Sequence, residues 1–152
     1  MAYTNAEARQ QLLDELAEAT DEIGLALANL AVAYEQIDEA SADRLEGELF
    51  RPLQLAYGQA QRTHADFARE HGLPAQSFAA PDAHAREHNA AAIIENAADA
   101  VARADLALAS LQDSMLPVEV GDPPLRAGLE RVRQLLDNVA RQTREFTRTL
   151  GR

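Results

Sequence analysis

Apolar residues recur along this chain at alternating steps of three and four, in three separate stretches. The first ladder is Leu13, Leu16, Thr20, Ile23, Leu27, Leu30, Tyr34 and Ile37. The second is Ile94, Ala97, Val101, Ala104, Leu108, Leu111 and Met115, and the third is Leu125, Leu129, Val132, Leu136, Val139, Thr143, Phe146 and Leu150. That spacing puts a narrow seam along a helix, and several such seams in one chain predict helices packed side by side. Leu45, Leu49, Leu53, Ala56, Ala60 and Phe67 mark one side of a further helix between the first two ladders.

Capping residues set the limits. Thr4 or Asn5 can cap a first helix over about 5–39, with Glu7 in its first turn, and Ser41 can cap a second over 42–71. Gly72 suits the left-handed position past that second helix, before Leu73 and Pro74. Pro52 removes a backbone donor and presses on the Glu48 carbonyl, which predicts a kink. Residues 73–81 read as a loop around a lone Phe78. Pro81 or Asp82 opens a third helix over 82–115, and Asp122 with Pro123 opens a fourth over 123–150.

At 1.5 Å per residue these helices are roughly 40 to 55 Å long. The short first connection makes helices one and two antiparallel neighbours. The expected architecture is therefore all-α: a single-domain, antiparallel up-down-up-down four-helix bundle over residues 1–152, with a proline kink in helix two. Ala56 and Ala60 on helix two and Ala97 and Ala104 on helix three would let those two backbones approach closely. If they do not, the few large side chains of helix three leave a groove for an apolar small ligand. Tyr34 and Tyr57 read as rings packed inside with their hydroxyls at an edge. Leu25, Phe50, Leu55 and Ile93 fall outside the seams and read as exposed apolar surface.

Composition narrows the chemistry. With 152 residues the chain can bury roughly 70% of its unfolded surface and fold without staples. There is no cysteine, so disulfides, thiolate metal sites and thiol nucleophiles are excluded. All fourteen basic residues are arginine; without lysine, Schiff-base chemistry and the P-loop phosphate clamp are impossible. No apolar run is long enough for a membrane span, and Met1–Gln10 does not read as a signal peptide, so cytoplasmic residence and no membrane partner are expected.

The net charge of −11 argues against nucleic acid as a partner, because phosphate neutralisation supplies most of that affinity. The charge is also sorted. Residues 1–40 carry −8 and residues 122–152 carry +3. In the up-down-up-down arrangement helices one and four are neighbours, so these charges would pair inside the molecule and select that topology. Alternatively Arg141, Arg144, Arg148 and Arg152, which fall along one outward stripe, form a docking surface for an acidic partner or for the first helix of a second copy.

Four histidines flank one connection: His64 and His71 near the end of helix two, His84 and His88 near the start of helix three. A hairpin there would bring all four to one end of the bundle, beside Asp14 of helix one. His84 and His88 are one helical turn apart and can reach one cation. With His64 or His71 and a carboxylate such as Glu87 or Asp14 they would suit zinc, iron or nickel. The Glu-x-x-His motif of ferritin-like di-iron bundles is absent, since Gln61, Ala68, Pro81 and Ala85 stand three residues before the histidines. The pattern contains no nucleophile, base and orienter set, and acidic pairs such as Glu15 with Glu18 read as solvated faces. The leading expectation is a non-enzymatic bundle acting through protein contacts or as a homo-oligomer, with a metal-binding bundle and an apolar-ligand carrier as alternatives.

Overall fold

The first helix, α1 (Asn5–Tyr34), starts where the Thr4 hydroxyl accepts the Glu7 amide and the Glu7 carboxylate accepts the Thr4 amide, a reciprocal capping box. This computed structural model describes residues 4–79, 81 and 89–150, and among them every regular element is helical. α1 stops five residues before the expected Glu39, closing with tightened bonds from Glu35 to Val32 and from Gln36 to Ala33. The next helix, α2 (Glu39–Leu45), is capped by Asp38, whose carboxylate accepts the Ser41 amide. Ser41 is thus the third residue of that helix and not its cap.

The chain continues without a break from α2 through one π-helical turn (Glu46–Phe50) into α3 (Arg51–Glu70). The widened turn is the fold's answer to Pro52. Arg51 reaches back to the Glu46 carbonyl, and the proline then falls in the first turn of α3, where its missing donor is least costly. At the far end Gly72 adopts φ 65°, the Leu73 amide donates to Ala68 and the Gly72 amide to Arg69, a Schellman stop with Leu73 resting on the core.

The fourth helix, α4 (Ala90–Asp113), begins eight residues later than the sequence pattern implies, because Asn89 is extended and caps the Ala91 amide. The short α5 (Leu116–Glu119) follows, and α6 (Pro123–Leu150) opens with the Asp122 carboxylate accepting the Leu125 amide. Gly121 turns the chain so tightly between them that a Cβ there would collide with the Pro117 carbonyl and the Leu125 side chain.

Packing departs from the expected order. α1 lies most intimately against α4 and also touches α3, while α6 lies against α3 and α4; neither α1 with α6 nor α3 with α4 forms a substantial contact among the described residues. α1 and α6 are therefore diagonal. Directions follow from paired residues. Glu22 meets Arg103 and Arg9 donates to the Val120 carbonyl, so α4 runs opposite to α1. His71 meets Asp122 and Arg44 donates to Thr149, so α6 runs opposite to α3. Arg133 bridges from α6 to Asp105 and Gln112 of α4. The order is up-down-down-up, not up-down-up-down. The chain between His71 and Asn89 must then travel about 38 Å, the rise of some 25 helical residues, which 18 residues at about 3.3 Å each can span.

Alanine explains the neighbour choice. α1 buries two stripes, Leu13, Leu16, Thr20, Ile23, Leu27 on the expected seam and Ala8, Leu12, Ala19, Ala26, Ala33 beside it. The second stripe lies on the side of α1 where Glu22 pairs with Arg103 of α4, whose buried positions include Ala97, Ala100 and Ala104, and small side chains on both helices suit their intimate packing. The alanines of α4 thus serve α1, not helix two. Gly128 does the same between α6 and α3, where a Cβ would collide with Thr63. The ladder positions at the helix ends deviate: Tyr34 and Met115 are exposed, Met115 in a left-handed turn at φ 69°.

Candidate functional site

α3 ends at the opposite end of the molecule from the start of α4, so those two helices do not form the expected hairpin. His84, His88 and Glu87 lie outside the described residues. His71 turns to α6: its Nε2 is 3.2 Å from Asp122 Oδ2 and its ring lies 4.3 Å from that of Phe67. Asp122 thereby holds the end of α3 with one oxygen and caps α6 with the other.

His64 sits two helical turns before His71 and is 2% exposed. The Phe78 ring of the crossing segment meets it edge-on at 5.2 Å, and its Nδ1 has no hydrogen-bond partner among the described residues. Burial holds its pKa below the ordinary value; the Asp14 carboxylate and the Leu13 backbone act in the opposite direction. Among the described candidates, the fold thus brings Asp14 and His64 near each other. Among the described residues no group of three or more histidine and carboxylate side chains is placed to hold a metal ion.

Beside His71, the end of α3 and the start of α6 enclose an open cavity of about 450 Å³ lined by Gln59, Thr63, Asp66, Glu70 and Asp122. Asp66 is occupied by Arg69 at 2.8 Å. A second depression lies between α1 and α3 at the other end. There two adjoining cavities of about 310 and 420 Å³ share Ala31 and Phe50, with Tyr34 and Tyr57 on their walls. Gly24 admits the Tyr57 ring, whose hydroxyl would lie 3.3 Å from a Cβ there. The apolar surface expected outside the seams is mostly covered: Ile93 is buried, Leu25 and Phe50 rest on the core, and only Leu55 stays exposed at 59%.

The charged faces fare differently. Arg126 and Arg133 of α6 are spent inside the molecule, on the Pro117 carbonyl and on Asp105 with Gln112. Arg141, Arg144 and Arg148 point outward and are exposed. Arg141 and Arg148 make only loose pairs along their own helix, with Asp137 at 3.7 Å and Glu145 at 3.6 Å, and pairs this exposed contribute little. Arg144 forms no ion pair among the described residues, and with Arg148 it lines a shallow cavity against Glu95.

On the diagonal helix, Glu7, Asp14, Glu18 and Asp21 occupy the outward stripe of α1 and are exposed. No arginine pairs with them among the described residues. Only Glu22, on the α4 side, finds one, Arg103 at 3.1 Å. Seven residues before Glu22 on that same side, Glu15 has a buried carboxylate oxygen without a partner. Its pKa is raised by burial and then by Glu18, so it is not the solvated acid its spacing implied.

No protein-family model matches the chain, and no curated protein or solved structure matches it. No described helix is long and apolar enough to cross a membrane.

Proposed function

We propose that the chain is a four-helix bundle with one long crossover, that it is not an enzyme, and that it works through contacts with other protein surfaces, self-association first. The observation that carries this reading is the placement of opposite charge on helices that do not touch. If the sorted charge served folding, the acidic and the arginine-rich helices would lie side by side; here they lie on the diagonal, and both stripes face solvent. The two described histidines are engaged within the fold, one buried under Phe78 and one beside Asp122, which favours protein contacts over a metal site as the first reading.

Sedimentation velocity over a range of protein concentrations tests the reading. At low ionic strength the mass should exceed that of one 16.5 kDa chain. It should fall back to one chain near 1 M salt, where the screening length is about 3 Å. A single chain at every concentration and every salt would overturn self-association.

A further inference from the structure

Resting on that reading, we infer that the interface is the acidic stripe of α1 in one copy against the arginine stripe of α6 in a second copy, antiparallel, and that the resulting assembly grows head to tail without stopping at a dimer. The register argues for it. Asp14, Glu18 and Asp21 are separated by four and then three residues, and Arg148, Arg144 and Arg141, read backwards, by four and then three. Antiparallel docking sets Asp14 opposite Arg148, Glu18 opposite Arg144 and Asp21 opposite Arg141. The axial steps of about 6 and 4.5 Å are the same on both helices.

Both stripes are exposed along their length, and each carries charge in need of a counterpart. On α1 the crowding shows in Glu15, whose pKa is raised by burial and further by the neighbouring Glu18 charge. On α6 the competing acids Asp137 and Glu145 hold Arg141 and Arg148 only at long range. An interface of this kind is polar and exposed at its rim, so it is weak, sensitive to salt and selective in register.

The diagonal placement decides what the contact builds. α1 and α6 occupy opposite corners of the helix packing, so one copy cannot present both stripes to the same partner. A two-fold dimer needs the same patch on both members, which this pair of stripes cannot supply. The contact is heterologous, and such contacts continue into a ring or an open filament. Because the docking is antiparallel, alternate copies point in opposite directions along the assembly.

Two charge-reversed proteins test this. One carries Asp14→Arg, Glu18→Arg and Asp21→Arg; the other carries Arg141→Glu, Arg144→Glu and Arg148→Glu. All six positions are exposed, and circular dichroism melts check that each variant is folded. By sedimentation velocity at low salt the natural protein should gain mass beyond two chains as concentration rises. Each folded variant alone should stay at one chain, and an equimolar mixture should regain the mass, since each α1–α6 contact between unlike variants again joins opposite charges, one with the natural signs and one with the signs exchanged. Variants that associate alone as the natural protein does would overturn the interface and leave self-association standing. Folded variants that fail to associate when mixed would overturn the register. A natural protein that stops at two chains would overturn head-to-tail growth, and one that never exceeds a single chain would overturn the underlying reading as well.

Discussion

α1 and α6 are the two longest α-helices among the described residues, they point the same way, and each carries a heptad ladder, yet they are built for different places. α6 buries eight of its 28 residues on one narrow stripe of Leu, Val and Phe. α1 buries thirteen of its 30, on a leucine-rich stripe and an alanine-rich one beside it. A helix with one seam serves the core from a corner. A helix with two seams takes a close partner along its flank as well, here α4. The lesson lies in the small residues: the second stripe of α1 is nearly invisible as hydrophobicity, but it decides which helix lies beside which and therefore where the charge ends up.

The contrast can be broken at its strongest point first. Leu136, fully buried on the single seam of α6, should cost about 2–5 kcal/mol when changed to alanine, measured by denaturant unfolding. On the alanine stripe of α1 the damaging change has the opposite sense. Ala26→Leu should cost about 1–3 kcal/mol by overpacking against α4, and a neutral result would mean that the two helices do not approach closely there. Between α6 and α3, Gly128→Ala should destabilise by a similar about 1–3 kcal/mol. Adding Thr63→Ala, which removes the atoms the new methyl group meets, should restore much of the loss.

The smallest expected effect is the pH dependence set by His64 and Glu15, on the α3 and α4 sides of α1. His64 titrates below the ordinary 6.5 in the folded protein because it is buried. The unfolded chain therefore takes up that proton more readily. Its contribution is complete above about pH 6.5 and is lost as pH falls below that value. Glu15 acts with the opposite sign: its carboxyl is raised above 4.5, so its contribution is complete below that pH and is lost as pH rises through the raised value. Thermal melts between pH 7 and 5 should fall more steeply for the natural protein than for His64→Leu, and parallel curves would contradict the burial of a neutral imidazole.

Much of this was legible in the sequence. The ladder of α6, its Asp122 cap and Pro123 start, the Gly72 stop and the Thr4 start with Glu7 follow from local rules that hold whatever the neighbours do. Pro52 was a visible conflict, but its resolution as one π turn depends on how the chain from Asp38 onward is seated. Neighbour order was not legible, because a heptad ladder says that a helix has a partner and not which one. The histidine cluster followed from the hairpin assumption; among the described residues α3 and α4 form no such hairpin, and His84 and His88 lie outside them. Among the described candidates Asp14 and His64 lie near each other, and nothing in their spacing of fifty residues signals that meeting.

The diagonal placement of α1 and α6 is the claim on which the rest depends, and it requires α3 to end far from where α4 begins. The chain has no cysteine, so Glu70→Cys with Ala91→Cys can carry two spin labels at those positions alone. Double electron–electron resonance should give a separation of about 40 Å, since the two sites lie at opposite ends of helices of this length. A separation of about 20 Å or less would mean that α3 and α4 form a hairpin, that α1 and α6 are neighbours after all, and that their charges pair within one molecule.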